Sequence, residues 1–64
     1  MNKWWAYMHR NGKVQIKRYF SEQDLDEARE SPFVAFVIGV VEANGREDAE
    51  QKFKIILAER MNKI

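Results

Sequence analysis

An apolar, aromatic run followed by alternating polar and apolar positions predicts two β-strands in the first third of the chain. The segment Trp4–His9 is rich in aromatic residues, which favour strands, and forms the first. In the second, Lys13–Phe20, the apolar positions are Val14, Ile16 and Phe20. Asn11-Gly12 lies between the two segments. Because both residues tolerate positive φ, this pair predicts a tight hairpin turn.

A short helix is predicted next, over Glu22–Glu30. Ser21 precedes it as the N-cap candidate, and acidic residues fill its first turn, where they complement the helix dipole. Leu25 and Ala28 are the apolar side chains of this segment. The residue before a proline avoids helical geometry, so Ser31-Pro32 is expected to end the helix.

The run Phe33–Val41 is apolar, β-branched and aromatic, and it predicts a third strand that is apolar on both faces. Asn44-Gly45 follows, and Asn44-x-x-Glu47 resembles a capping box at the start of a second helix. From Arg46 onward, apolar residues recur on one side at helical spacing. These residues are Ala49, Phe53, Ile56, Leu57 and Ile64.

The predicted order of elements is ββαβα, which places the chain in the α+β class as a single compact domain over residues 1–64. The connection from the second strand through a helix to the third is expected to be a right-handed crossover, so these two strands run parallel. We place the third strand beside the first and antiparallel to it. The expected architecture is a three-stranded mixed sheet in the order 3-1-2, with two helices packed on one face.

The length of the hairpin loop decides which aromatic side chains face the helices. We favour a two-residue loop at Asn11-Gly12, which pairs Tyr7 with Ile16. In that register, the side chains of Trp5, Tyr7 and His9 face the helices. A three-residue turn with a bulge at Gly12 shifts the pairing by one residue. The side chains that face the helices are then those of Trp4, Ala6 and Met8. In both registers at least one tryptophan joins the open face, with Gln15, Lys17 and Tyr19.

A sheet covered on one side leaves its other face open, and here that face is expected to be partly apolar. An exposed apolar patch of a few hundred Å² usually marks an interaction site. We therefore expect a non-enzymatic interaction module, most simply a homodimer formed sheet to sheet or by edge pairing of the third strand. A different protein partner is the alternative, and a C-terminus or a bent strand folded over the patch would remove the site. The candidate interface residues are Trp4, Met8, Tyr19, Phe36 and Ile38.

The net charge of +1, from 11 basic and 10 acidic residues, gives no overall attraction to nucleic acid or to an acidic membrane. The basic residues nevertheless concentrate in the first third of the chain, beside the aromatic ones. Aromatic and basic side chains on an open sheet can stack unpaired bases and hold phosphates, so single-stranded nucleic-acid binding is the alternative function. Its candidate residues are Trp4, Arg10, Lys13, Lys17 and Tyr19.

The composition argues against an enzyme. The chain has no cysteine, which excludes disulfides and thiolate metal sites, and His9 is its single histidine, with no acid near it in sequence. A nucleophile needs a base within hydrogen-bond reach. The acids Asp24, Glu27 and Glu30 lack the loop spacing of a dedicated cation site. We expect no catalytic residue, no metal, no cofactor and no small-molecule substrate.

The longest apolar run has nine residues, whereas a membrane-spanning helix needs about 20. His9 and Arg10 also interrupt any apolar signal segment at the N-terminus. We therefore expect a cytoplasmic protein that does not enter a membrane.

The segment Val40 to Arg60, a strand passing through EANGREDAEQKF into an amphipathic helix, resembles small antitoxin-like α/β domains of the HicB kind. Those domains commonly have strands after that helix, or a separate DNA-binding segment. The resemblance covers a third of the chain and implies no site residue.

Overall fold

The computed structural model describes residues 2–62. Their elements follow the predicted order ββαβα, with bounds within a few residues of those expected. They are β1 (Asn2–His9), β2 (Val14–Arg18), α1 (Glu22–Glu30), β3 (Val34–Ala43) and α2 (Arg46–Asn62).

The three strands form one sheet in the order β2-β1-β3, which confirms the predicted order 3-1-2. Strand β1 pairs antiparallel with each neighbour, so the sheet is antiparallel throughout, and the prediction of a mixed sheet is wrong. The reason is the position of β1. Strands β2 and β3 do run in the same direction, but β1 lies between them and they never pair.

The hairpin register is the alternative one, and the favoured two-residue loop is wrong. Tyr7 lies opposite Gln15, and Ala6 lies opposite Ile16. The His9 N–H donates to the Lys13 carbonyl oxygen at 2.9 Å, and the Gly12 N–H donates to the His9 carbonyl oxygen at 2.9 Å. This pattern closes a three-residue loop over residues 10–12, with Gly12 at a φ of 91°.

Two side chains, one at the end of β1 and one in the loop, stabilise the three-residue turn. The Nδ1 atom of His9 accepts a hydrogen bond from the Asn11 N–H at 3.1 Å. The Oδ1 atom of Asn11 accepts one from the Lys13 N–H at 2.9 Å. These bonds satisfy backbone donors of the loop that no strand reaches. The register also puts Val14 and Ile16 on the same face as Ala6, where they pack together.

Two separate apolar clusters lie on the two faces of the sheet. On one face, α2 packs Ala49 and Phe53 against Ala6 and Ile38, and Phe53 is only 1% exposed. On the other face, α1 packs Leu25 and Ala28 against Trp5, which is 5% exposed. The helices therefore cover opposite faces, and the expected packing of both helices on one face is wrong.

The apolar character of both sheet faces explains this arrangement. Successive side chains of a strand point to opposite faces, so Trp4 lies on the α2 side and Trp5 on the α1 side. Two helices on the same face would leave Trp5 in water, at a cost of about 2 kcal/mol or more for a large apolar side chain. Each helix instead shelters one face.

The helix ends differ from the predicted caps in detail. Ser21 occupies the N-cap position of α1, but its side chain makes no capping hydrogen bond to the residues the structure describes. Ser31 ends α1 in an extended conformation, as the following proline requires, and its N–H donates to the Ala28 carbonyl oxygen at 3.1 Å. At the start of α2, the carboxylate that reaches back to the Asn44 N–H is that of Asp48, at 3.1 Å, rather than that of Glu47.

Strand β3 is irregular in two places. Its register against β1 shifts between Ala6 and Tyr7 and again between Met8 and His9. Gly39 lies at the first shift with a φ of 151°, a value that side-chain-bearing residues rarely adopt. The extra residue there, Ile38, is buried on the α2 side. These bulges bend β3 and increase its local twist.

Candidate functional site

The predicted interface residues do not form one exposed surface. Trp4 and Phe36 pack at the margin of the cluster on the α2 side, and Ile38 is buried within it. Tyr19 packs with the cluster on the α1 side, and Met8 is half-buried. The open sheet face on which a sheet-to-sheet dimer depended is covered, because each face carries a helix.

The residues of the nucleic-acid alternative are dispersed as well. Trp4 and Tyr19 lie on opposite faces, and a cation lies over each ring. The Arg18 guanidinium is 5.9 Å from the Trp4 ring centroid, and the Lys3 ammonium is 5.9 Å from that of Tyr19. Arg10 and Lys13 are exposed at the hairpin loop, while Lys17 lies over Tyr7. A stacking platform needs accessible rings on one face.

Within residues 2–62, what remains unpaired is one edge of β2 and one edge of β3. The Tyr19 N–H donates to the Lys3 carbonyl oxygen at 2.9 Å, so the backbone groups of Lys3 point toward β2. These groups alternate in direction along a strand, so those of Trp4 point toward β3. The register then fixes which backbone groups point outward, away from β1. They belong to Val14, Ile16 and Arg18 on β2, and to Val40 and Glu42 on β3.

The outer edge of β3 is long and apolar. The strand has ten residues, and its first eight carry no charge. The side chain of Val40 is 40% exposed at this edge. An exposed apolar edge strand is a template for pairing with another chain unless charges or cover protect it.

One cation protects the far end of the β3 edge. The Nζ atom of Lys52 donates to the outward-pointing carbonyl oxygen of Glu42 at 2.6 Å. Ile55 follows one turn later on the same flank of α2 and is 59% exposed. Beside the β3 edge, α2 thus presents a capping ammonium and then an exposed apolar side chain.

Lys52 is itself held by Asp48, at 3.5 Å. The hydrogen bond from the Asn44 N–H holds the pKa of Asp48 below its usual value, and the nearby Lys52 charge lowers it further against an opposing desolvation. The connection from β3 to α2 is therefore fixed by a chain of bonds from Asn44 through Asp48 and Lys52 to the Glu42 carbonyl oxygen.

The outer edge of β2 lies between two clefts. On the α1 side, a shallow groove of about 370 Å³ has Trp5 and Tyr7 among its lining residues, with Lys17 and Phe20 from the β2 side and Asp24 and Glu27 from α1. On the α2 side, a smaller cleft of about 140 Å³ separates β2 from the helix. The residues lining this smaller cleft include Val14, Ile16, Phe53, Leu57, Arg46 and Lys54.

The titratable groups show structural roles. The imidazole of His9 accepts a loop hydrogen bond and stacks on Phe33, with ring centroids 6.2 Å apart. Partial desolvation and then the neighbouring Glu22 carboxylate raise the pKa of Tyr19, whose hydroxyl donates to Glu22 Oε1 at 3.3 Å. Among residues 2–62, no group of three or more His, Cys, Asp or Glu side chains is placed to hold a metal ion.

Sequence reasoning missed Val40, Lys52 and Ile55. The signal for Ile55 was present, because this large apolar residue lies off the apolar stripe of the predicted second helix. Val40 and Lys52 acquire their roles only from the strand order and from the direction of the backbone groups in β3.

Comparisons with protein-family models, curated proteins and solved structures found no match. The resemblance to antitoxin-like domains therefore gains no support from them. In the part of the chain that the structure describes, neither helix is long and apolar enough to cross a bilayer.

Proposed function

We propose that this protein is a non-enzymatic interaction module that self-associates by pairing the free edge of β3 with β3 of a second copy. The observation that carries the proposal is the outer edge of Val34–Val41, which has no strand partner among residues 2–62 and bears no charge. Pairing of two such edges by an antiparallel ladder produces one continuous six-stranded sheet with a twofold axis. A cytoplasmic location stays a prediction.

The charges of the two edges favour this pairing over the others. Lys17 and Arg18 lie on β2, so pairing two β2 edges brings like charges together. Pairing β2 with β3 of another copy leaves one free edge of each kind and permits open-ended growth. Joining β3 to β3 closes the assembly and leaves the charged β2 edges outside.

The exposed apolar side chains beside β3 support the same geometry. A twofold axis through the β3 edge brings α2 and its symmetry copy side by side, with Ile55 of each facing the other. On the opposite face it brings Val40 near the second copy. Both residues are exposed in a single chain and gain apolar contacts in the pair. The small size of the domain adds to the benefit, because a short chain buries little surface alone.

The test is sedimentation of three proteins over a wide concentration range. Val40→Lys places a charge at the exposed edge position, and Val40→Thr keeps the β-branched shape without the charge. We expect the wild type and Val40→Thr to sediment as dimers, and Val40→Lys to sediment as a folded monomer of 7.6 kDa with an unchanged circular dichroism spectrum. A wild type that stays monomeric up to millimolar concentration contradicts the proposal.

A second variant separates edge pairing from other modes of association. Ile55→Lys leaves β3 untouched and changes only the exposed flank of α2 that faces the proposed twofold axis. Its dimer is expected to be weaker than that of the wild type. Dimers that survive both Val40→Lys and Ile55→Lys unchanged place the contact elsewhere and overturn the proposal.

A further inference from the structure

We infer that the second free edge, that of β2, binds a short acidic peptide in extended conformation, which joins the sheet as an additional strand. This site is separate from the proposed β3 contact and lies at the opposite edge of the sheet. Its partner is a peptide segment with acidic residues at both ends and an apolar residue between them.

The backbone of β2 offers the first recognition element. The N–H and C=O groups of Val14, Ile16 and Arg18 point away from β1. Within residues 2–62, no strand pairs with these outward groups. An added strand satisfies these groups in a ladder, which supplies affinity without reading the sequence of the peptide. Specificity must then come from the side chains of the added strand, which alternate between the two faces of the sheet.

A cleft is available for each set of alternating side chains. On the α2 side, the cleft between β2 and the helix is lined by apolar side chains, among them Ile16, Phe53 and Leu57. An apolar residue at the centre of the peptide fits against these. On the α1 side, the groove is lined in part by Trp5, Tyr7 and Phe20, which suits an aromatic side chain.

The charges around the two clefts select the remaining positions. On the α2 side, Arg46 and Lys54 line the cleft. Glu50 also lines this cleft, but it pairs with Lys54 at 3.5 Å. Two cations thus oppose one acid on this side, so the peptide side chains two residues before and two residues after the central apolar one, which share its face, are acidic.

The groove on the α1 side has a different balance. Asp24 and Glu27 of α1 line it together with Lys17 and Arg18, so it favours a neutral side chain over a carboxylate. The pattern that fits both sides is acid, aromatic, apolar, aromatic, acid. A blocked peptide of sequence Glu-Tyr-Val-Tyr-Glu has this pattern and is the probe, and Lys-Tyr-Val-Tyr-Lys is its charge-reversed control.

The experiment is a titration of the protein with each peptide at low salt, followed by tryptophan fluorescence. Trp5 lines the groove and reports on its occupation. We expect the acidic peptide to bind with an affinity that falls as ionic strength rises, and the basic peptide to bind on the order of tenfold more weakly or not at all. Equal binding of the two peptides overturns the inference.

Backbone pairing is tested on the peptide, so that the fold of the protein is not at issue. N-methylation of Val removes one backbone donor, and N-methylation of both Tyr residues removes the alternate donors. In a strand, only one of these sets faces β2, so one modification is expected to weaken binding on the order of tenfold and the other to leave it unchanged. Equal effects of the two modifications exclude an added strand.

A pair of protein variants addresses the same bonds from the other side. Arg18→Gln removes the charge but keeps the outward N–H, whereas Arg18→Pro removes the charge and the N–H. The ladder with β1 is spared, because the Tyr19 N–H points toward β1 and the N–H of the preceding Arg18 therefore points away from it. We expect Arg18→Pro to bind the peptide more weakly than Arg18→Gln. If the Arg18→Pro protein instead binds the peptide like wild type but fails to form the assembly that wild type forms, a second copy occupies this edge and the inference is wrong.

Discussion

At the scale of single residues, Asp48 has the most connected side chain of the β3–α2 turn. Its carboxylate accepts the Asn44 N–H at 3.1 Å and lies 3.5 Å from the Lys52 ammonium, which caps the edge of β3. These contacts lower the pKa of Asp48 in the folded chain. A lowered pKa means that the ionised form stabilises the fold above the unfolded pKa, and that this contribution is lost as pH falls through the folded pKa.

We therefore expect the stability of the Asp48→Asn protein to depend less on pH in the acid range than that of the wild type. Wild-type unfolding temperature should fall as pH drops from neutral to about 3, and the variant should show a smaller fall, because it has no carboxylate to protonate there. Asp26→Asn is the matched control, since Asp26 pairs with Arg29 on the exposed surface of α1. Identical pH profiles for Asp48→Asn and wild type contradict this role.

Gly12 makes a second prediction at this scale. Its φ of 91° is unfavourable for residues with a side chain, yet an added Cβ meets no atom within 4 Å. Gly12→Ala is thus expected to cost about 1 kcal/mol through backbone strain alone. Asparagine is larger than alanine but tolerates left-handed geometry, so Gly12→Asn should lower the free energy of unfolding in urea by less than Gly12→Ala does. If the larger residue proves the more damaging one, steric crowding and not φ governs the position.

At the scale of elements, the residue pattern was sufficient for the type and order of every strand and helix. Alternation in Lys13–Phe20 and the uncharged run of Phe33–Val41 identified strands that the structure confirms. The hairpin register was wrong because Asn-Gly signals a turn without fixing its length. The bonds that fix it run through His9 Nδ1 and the side chain of Asn11, and no periodicity reveals such bonds.

The helix α1 was predicted with correct bounds but placed on the wrong face. Its attachment rests on two buried side chains, Leu25 and Ala28, packed against Trp5. Such a short apolar stripe fits either face of the sheet equally well on pattern alone. The deciding fact is the second tryptophan, because Trp4 and Trp5 point to opposite sides and both sides need cover.

Leu25→Ala is expected to destabilise the protein by about 3 kcal/mol, because it removes the largest side chain that α1 buries. In a Trp4→Phe background, the fluorescence of Trp5 alone should shift to longer wavelength as its cover loosens. Met61→Ala, at an exposed position of α2, is the control and should change neither quantity. An unshifted Trp5 spectrum in the Leu25→Ala protein would mean that α1 does not shelter this ring.

At the scale of the whole molecule, each face of the sheet is covered by a helix, so the surface left open lies at the two edges of the sheet and not on a face. The sequence showed correctly that apolar residues occupy both sides of the sheet. It did not show that α1, with nine residues, and α2, with 17, would each cover one side. Once they do, part of the apolar surface left by the fold lies along β3 and on the neighbouring flank of α2, where Val40 and Ile55 are exposed.

Lys52 limits how far another strand can pair along that edge, because its ammonium already binds the Glu42 carbonyl oxygen at 2.6 Å. Lys52→Met keeps the aliphatic stem and frees this acceptor. The freed carbonyl can take one more hydrogen bond in the β3–β3 ladder, for which a gain of about 1 kcal/mol, or several-fold in dimer affinity, is expected. Sedimentation equilibrium measures the change.

Lys54→Met is the control with the same loss of charge, since Lys54 pairs with Glu50 and lines the cleft beside β2 on the other flank of α2. Its dimer affinity should equal that of the wild type. If Lys52→Met weakens the dimer instead, the ammonium supports the contact and the β3 edge pairs beyond Glu42. If both variants change affinity alike, net charge governs association and the capping of the edge by Lys52 plays no part in it.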